Sequence, residues 1–437
     1  MLKFGTDGVR GVAHREITPS AVQLFARAAA RALRCSRVIV GHDPRESSPA
    51  LAGAVAEGFR MEGVAVDFVG MAPTPAIAYL AQHHGCAAAV VTASHNPYTD
   101  NGLKFFHDGG TKLSDDEERA IQAIYERFVS SNEGYVEPSV HEGSMNLDAY
   151  VDHVCAAGAS VRPGARIVVD CANGAMSLVA PQVFARLGVK ARVFHASPDG
   201  ININVASGAA HPENVAALAR EHDCDVAIAC DGDGDRLIAA TNEGDVVDGD
   251  HLIALAALDL KSRGLLVNDA VVVTVMSNIG FHRAMNTAGI TVHTTPVGDR
   301  SVLVELDRTG AVLGGEQSGH IIRRSRATTG DGLLAAVELI DMLGRNGEPF
   351  GTIAASAMTS YPQVLINVKV VGDAKQAVAA CDEVVREVET ELGGDGRVLV
   401  RPSGTEPLVR VMVEATDDAT ARRHAERIVD TARKAQG

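Results

Sequence analysis

The chain has 437 residues, 46% of them hydrophobic, with no Trp and a formal net charge of −15. That length predicts two to four domains with aliphatic cores. The net charge excludes non-specific nucleic-acid binding, and no apolar run approaches the ~18 residues of a membrane span. The seven cysteines form no CxxC pair and the sixteen histidines no HExxH spacing. The first residues, MLKFGTDGVRG, lack the long apolar stretch of a secretion signal. These features predict a reduced, cytoplasmic protein.

In chain order, RVIVG (37–41) precedes a helix-like stretch over Leu51–Gly63, followed by VAVDFVG (64–70), helix-like Pro73–His83 and AAAVV (87–91). This is a βαβαβ pattern, which predicts a mostly parallel sheet. It recurs with RIVVD (166–170), helix-like Ala180–Leu187, VKARVFH (189–195), helix-like Asn214–Glu221 and DVAIAC (225–230). A third, more compact block has AVVVTV (270–275), ITVHTT (290–295) and AVLGG (311–315). After about residue 363 the pattern changes: a strand VLINVKVV (364–371), one long amphipathic helix (Ala374–Leu392), strands Arg397–Val400 and Leu408–Glu414, and a last helix Asp418–Lys434. The expected division is 1–150, 151–250, 251–362 and 363–437.

The third strand of each block ends in an unusual polar loop: TASHNP from Thr92, DGDGDR from Asp231 and GEQSGH from Gly315. Ligands of open α/β sheets sit beyond the carboxyl ends of strands, so these loops are expected to meet in one cleft. Asp231, Asp233 and Asp235 alternate, and at an extended strand exit they share a face. Carboxylates this close raise one another's pKa unless a cation binds, and an all-oxygen donor set favours Mg²⁺. An EF-hand does not fit, because its sixth position is Arg236 rather than Gly and its twelfth is Asn242 rather than Glu. Ser94 has no G-x-S-x-G elbow around it, which excludes a lipase-type hydrolase. A phosphate on Ser94 would instead offer oxygens to a metal held by the three Asp. In the fourth domain RPSGTEP (401–407), with Arg410 nearby, suits a phosphate dianion. Glu316 and Ser318 fit sugar hydroxyls, and His320 is a candidate acid or base.

Taken together, TASHNP, DGDGDR, GEQSGH and RPSGTEP resemble the α-D-phosphohexomutase superfamily over nearly the whole chain. FGTDGVRG, HNPYTDNGLKFF, PVGDR, GGEQSGHII and TTGDGL resemble its bacterial phosphoglucosamine mutase branch. The resemblance implies three related α/β domains with mixed sheets between helices, plus a C-terminal α+β domain, around a central cleft. It implies a phosphoserine at Ser94, which is also a metal ligand, and Mg²⁺ at Asp231, Asp233 and Asp235. Arg10 and Arg236 would neutralise the reacting phosphate, with Lys104 as general acid/base assisted by His95 and His320. Glu316 and Ser318 would bind sugar, while Arg401, Ser403, Gly404, Thr405 and Arg410 would hold the phosphate that is not reacting. The implied activity interconverts glucosamine 6-phosphate and glucosamine 1-phosphate, toward UDP-N-acetylglucosamine and cell-wall precursors. The implied partners are a phosphosugar and a sugar 1,6-bisphosphate as activator, and the chain is compatible with a homodimer.

Two segments depart from the superfamily's usual pattern. GHDPR (41–45) has His and Pro where Arg or Lys and often Thr are familiar, and SGAAHP (207–212) has alanines where a Ser-Thr pair is usual. Both are expected to lie away from the four loops. Gln317 discriminates against the phosphomannomutase/phosphoglucomutase alternative, where Met is usual. RPSGTEP argues against a metal-dependent serine phosphatase, and the intact Ser94, Asp triplet and Lys104 argue against a binding protein without catalysis.

Overall fold

The computed structural model describes residues 1–5, 7–131, 133–138, 143–370, 373–402 and 408–434. The chain forms two compact units, Met1–Met276 with Ile290–Ala357, and Ser277–Gly289 with Met358–Gly437. Among the described residues no helix is long and apolar enough to cross a membrane.

The first unit holds three sheets. The first contains β1 (Phe4–Gly5), β2 (Gly8–Val12), β3 (Arg37–His42), β4 (Ala65–Met71), β5 (Ala87–Val91) and β6 (Asp100–Phe106), in the order β1-β2-β6-β5-β3-β4. β3 runs parallel to β4 and β5, but β6 is antiparallel to β5 and β2. The parallel part is therefore only one end of the sheet, β5-β3-β4, with β4 at the edge. Residues 92–99 are too few for a crossover helix, so the chain must return antiparallel. Every residue of β5 is buried, with Ala87, Ala89 and Val91 in one apolar cluster and Ala88 and Val90 in another. This period-two alternation places a helical layer on each face of the strand. On one side the helix Pro19–Leu33 starts on a Thr18 side-chain cap with proline in its first turn. The helix Asp115–Ser130 starts with a Ser114/Glu117 capping box, and its Tyr125 ring lies 4.7 Å from that of Phe25.

The second sheet contains β7 (Arg166–Asp170), β8 (Lys190–Phe194), β9 (Val226–Cys230), β10 (Leu237–Ala240) and β11 (Val246–Val247), in the order β11-β10-β9-β7-β8. The third contains β12 (Ala270–Thr274), β13 (Thr291–Thr295), β14 (Leu313–Gly315) and β15 (Ile321–Arg323), in the order β13-β12-β14-β15. All three sheets share one device. A buried strand is joined to an antiparallel neighbour, and the connection carries the polar loop. Val91 pairs with Leu103, Cys230 with Leu237, and Gly315 with Ile321. Each loop is thus pinned at both ends by ladder hydrogen bonds.

The second unit has an antiparallel sheet of β16 (Gln363–Lys369), β17 (Arg397–Pro402) and β18 (Leu408–Glu414), in the order β16-β18-β17. The strand expected over 364–371 ends at Lys369, and Val371 lies outside the described residues. The single helix expected over Ala374–Leu392 is two, Ala374–Ala379 and Asp382–Leu392. The second restarts after Cys381 with Asp382 and Glu383 in its first turn, where acidic side chains complement the helix dipole.

The helix Ile279–Thr287, which follows β12 in the chain, belongs to this second unit. Its Ile279 N–H donates to Glu414 Oε2 at 2.9 Å, and Asn278 Nδ2 donates to the Tyr361 carbonyl at 2.8 Å. Glu414 is fully buried and also accepts from Arg397 Nη2 at 3.0 Å and Gln363 Nε2 at 2.7 Å. One carboxylate therefore ties helix and sheet together. Glu414→Ala should cost about 3 kcal/mol locally, and hydrogen exchange should quicken at Ile279 and along β17. Unchanged exchange at those amides would contradict this role.

Candidate active site

Ser94 is buried, and its backbone is left-handed at φ 52°. For a non-glycine residue that conformation costs on the order of 1–3 kcal/mol and persists only where the surroundings impose it. Its hydroxyl donates to Asp231 Oδ2 at 2.6 Å and lies 3.3 Å from His95 Nδ1. The glycines of DGDGDR permit this approach. A Cβ on Gly232 would sit 2.7 Å from the Ser94 carbonyl oxygen, and Gly234 is left-handed at φ 76°.

Asp231 and Asp233 are fully buried and Asp235 nearly so, and one oxygen from each lies within 4.8 Å of the others. Burial and the charges of Asp235 and Asp233 push the Asp231 carboxyl up to about 8. Burial acts the same way on Asp235, but Lys104, His320 and Arg236 outweigh it and hold that carboxyl well below its usual range. Asp233 Oδ1 and Asp235 Oδ1 are buried without a hydrogen-bond partner among the described residues. An all-oxygen, buried, mutually repelling donor set with free oxygens fits a hard divalent cation.

Lys104, on β6, reaches Asp233 Oδ2 at 2.9 Å, Asp235 Oδ2 at 3.0 Å and Asp7 Oδ2 at 3.1 Å. Burial lowers its pKa, but these three carboxylates raise it well above the usual lysine value, so it stands as an ammonium. His95 behaves oppositely. Burial, then Arg236 and Arg10, push it down to about 4, leaving a neutral imidazole beside Ser94. Arg10 donates to Asp7 at 2.7 Å and to Asn96 Oδ1 at 3.3 Å. His320 accepts from the Gly330 N–H at 3.1 Å through Nε2 and turns Nδ1 toward Asp235 Oδ1 at 3.7 Å, so both ring nitrogens face partners. Arg236 lies 4.0 Å from Asp235, and burial, which lowers its pKa, is outweighed by Asp231, Asp235 and Glu316. Glu316 Oε1 accepts from the Gly298 N–H at 3.0 Å, while Ser318 is exposed. Gln317 donates to Asp248 Oδ2 at 3.4 Å.

In the second unit Arg401 and Arg410 stand opposite each other in the β17/β18 register. Burial, then Arg410, lower the Arg401 pKa, and Arg410 Nε is buried without a hydrogen-bond partner among the described residues. Like charges directly opposite are unfavourable without an anion between them. Ser403, Gly404 and Thr405 lie outside the described residues.

The structure corrects the placement of GHDPR, which touches the Ser94 loop, while SGAAHP reaches only the end of β9 before the Asp triplet. β3 is parallel to β5 with His42 opposite Val91, so the segment after β3 emerges beside the Ser94 loop. Arg45 there donates to the Ser94 carbonyl at 2.8 Å. In the second sheet the Ala209 N–H donates to the Cys230 carbonyl at 3.0 Å, immediately before the Asp triplet. Sequence reasoning also missed Thr74, whose hydroxyl donates to Asp233 Oδ2 at 2.7 Å. It missed Lys112 as well, which lies 2.8 Å from Asp7 Oδ1 and pairs with Asp299. The strings FGTDGVRG and PVGDR carried Asp7 and Asp299 in plain view; Thr74 and Lys112 had no signal of their own.

Comparison with known proteins matches four family descriptions in order. They are phosphoglucomutase/phosphomannomutase alpha/beta/alpha domains I (residues 1–130), II (148–244) and III (248–361), and the C-terminal domain (365–431). A phosphoglucosamine mutase of Frankia casuarinae is 46% identical over 99% of this chain and 98% of its own. A phosphoglucomutase/phosphomannomutase family protein of Burkholderia thailandensis superposes with a TM-score of 0.80 at 27% identity, over 99% of this chain and 98% of its own. An N-acetylphosphoglucosamine mutase of Aspergillus fumigatus, solved with GlcNAc-6P and magnesium, shares the fold with a TM-score of 0.71 at 17% identity, over 100% of this chain and 96% of its own.

A cation at the Asp triplet should stabilise the folded state by mass action, about 2.7 kcal/mol at a hundredfold excess over Kd. Adding Mg²⁺ or Mn²⁺ to chelator-treated protein should raise the thermal midpoint, and Asp233→Asn should lose most of that rise. An equal rise in Asp233→Asn would place the cation elsewhere.

Proposed function

The chain belongs to the phosphoglucomutase/phosphomannomutase family, and on that premise we propose that it interconverts glucosamine 6-phosphate and glucosamine 1-phosphate through a phosphate carried on Ser94. One observation carries the reading: the Ser94 hydroxyl is directed at Asp231 inside a buried triplet of carboxylates. Few other arrangements would bring a strained serine to a cation site.

In the first half-reaction the 1-hydroxyl of glucosamine 6-phosphate attacks the phosphorus on Ser94. A P–O1 bond forms and the P–Oγ bond breaks, giving the 1,6-bisphosphate and free serine. The proton leaving O1 is taken by the neutral His95 imidazole, and Oγ takes one from the Lys104 ammonium. The bisphosphate then turns around. Ser94 Oγ attacks the phosphorus on O6, the P–O6 bond breaks, O6 is protonated, and the two protons return to their starting groups. The net change is the position of one phosphoryl group. Asp231, Asp233 and Asp235 would hold Mg²⁺, which supplies charge neutralisation at phosphoryl oxygens when bound. Arg10 and Arg236 are assigned to the same negative charge, and Glu316 and Ser318 to sugar hydroxyls. In the second unit Arg401 and Arg410, with Ser403, Gly404 and Thr405, are assigned to a phosphate dianion. His320 is assigned to orienting Asp235. The seven free cysteines support a reducing, cytoplasmic setting.

The substrate is tested by a coupled assay on glucosamine, mannose and glucose phosphates, each with catalytic 1,6-bisphosphate. The expected kcat/KM for the glucosamine pair exceeds the others by about tenfold or more. Parity or preference for mannose or glucose phosphates would make the protein a phosphomannomutase/phosphoglucomutase. Release of inorganic phosphate as the main product would make it a phosphatase.

A further inference from the structure

Arg45 and Asp43 are fully buried, the two sharing an ion pair with Arg45 Nε 2.8 Å from Asp43 Oδ2. No proposed catalytic step uses either. The guanidinium spends its remaining donors on the backbone of the serine loop. Nη2 donates to the Ser94 and Asn96 carbonyls, each at 2.8 Å, and Nη1 to the Asp100 carbonyl at 3.0 Å and to that of Pro97. The carboxylate faces the same loop from the other side. Asp43 Oδ2 accepts from the Thr92 hydroxyl at 2.7 Å, and Thr92 Oγ1 accepts from the Ser94 N–H at 2.9 Å. Asp43 Oδ1 is fixed by Ser48 Oγ at 2.7 Å. The contacts close a ring: Ser94 N–H to Thr92, Thr92 to Asp43, Asp43 to Arg45, and Arg45 back to the Ser94 carbonyl. Asn204, from the second domain, adds a donor to that carbonyl at 2.9 Å.

We propose that Arg45, oriented by Asp43, is a positioning residue for phosphoryl transfer, holding the left-handed Ser94 peptide by both its N–H and its C=O so that Oγ points at the Asp triplet. The inference rests on the reading of Ser94 as phosphate carrier. A planar fork with five donors can serve one carboxylate and four carbonyls together, whereas an ammonium has three donors at a single point. Without the fork the Ser94 backbone can relax from its strained region, and Oγ swings with it. A displacement near 1 Å at a reacting atom costs about 100-fold in rate.

The test compares full-length wild type, Arg45→Lys and Thr92→Val. The second variant removes one hydroxyl at constant shape and decides the matter if the first does not fold. Rapid-quench measurement gives the rate of phosphate transfer from glucose 1,6-bisphosphate to Ser94, and the end point of the same reaction counts the competent molecules. The expected result is an end point near that of wild type, with the rate down about 100-fold in Arg45→Lys and about tenfold in Thr92→Val. Steady-state KM for the sugar phosphate should stay within roughly threefold while kcat falls. A purely structural role would lower the end point and the thermal midpoint at unchanged rate, and that result overturns the proposal. Wild type that takes no phosphate on Ser94 overturns the reading of Ser94, and this inference with it.

Discussion

Three carboxylates are packed within 4.8 Å of one another with almost no access to water. Left alone, that charge would not stay ionised, and the rise of Asp231 to about 8 records the strain. Much of the surrounding structure is a response to it. β6 turns Lys104 inward to meet Asp233 and Asp235, and Asp7 shares the same ammonium. His320 turns one nitrogen toward Asp235, and Thr74 donates to Asp233. The carboxylates lie at the second sheet and these countering groups come from the first and third, so one electrostatic demand couples the domains that the repeat generates.

The sheets meet that demand by geometry rather than by long loops. Each polar loop connects a buried strand to an antiparallel neighbour, so its two ends are fixed by ladder bonds. Rigid elements hold reacting groups more closely than free loops do. The remaining freedom at Ser94 is a single strained peptide, and the contacts of Thr92, Arg45 and Asn204 restrain it.

Much of this was legible in the sequence because the central strands are buried on both faces. AAAVV, DVAIAC and AVLGG read as strands from their apolar composition, and each ended in a loop whose residue types stated its chemistry. The return strands were not legible. FGTDGVRG and DNGLKFF mix glycine and charge into short segments, and their pairing depends on partners far along the chain. The membership of Ile279–Thr287 in the second unit is likewise a matter of nonlocal contacts, with Glu414, Tyr361 and Asp395 among the partners. GHDPR was misplaced because its neighbour in space, the Ser94 loop, is adjacent only through the β3/β5 pairing. A buried arginine gives no local sign that its hydrogen bonds go to backbone rather than solvent.

The central claim is that phosphate resides on Ser94 between the two half-reactions. Wild type and Ser94→Ala are incubated with glucose 1,6-bisphosphate, and intact mass is followed by peptide mapping. The account predicts one added phosphate on the peptide containing Ser94 in wild type, discharged when glucosamine 6-phosphate is added. It predicts none in Ser94→Ala, which should keep its fold, because removing one hydroxyl leaves the packing around it unchanged. Phosphate uptake and turnover by Ser94→Ala would put the carrier elsewhere and contradict the account.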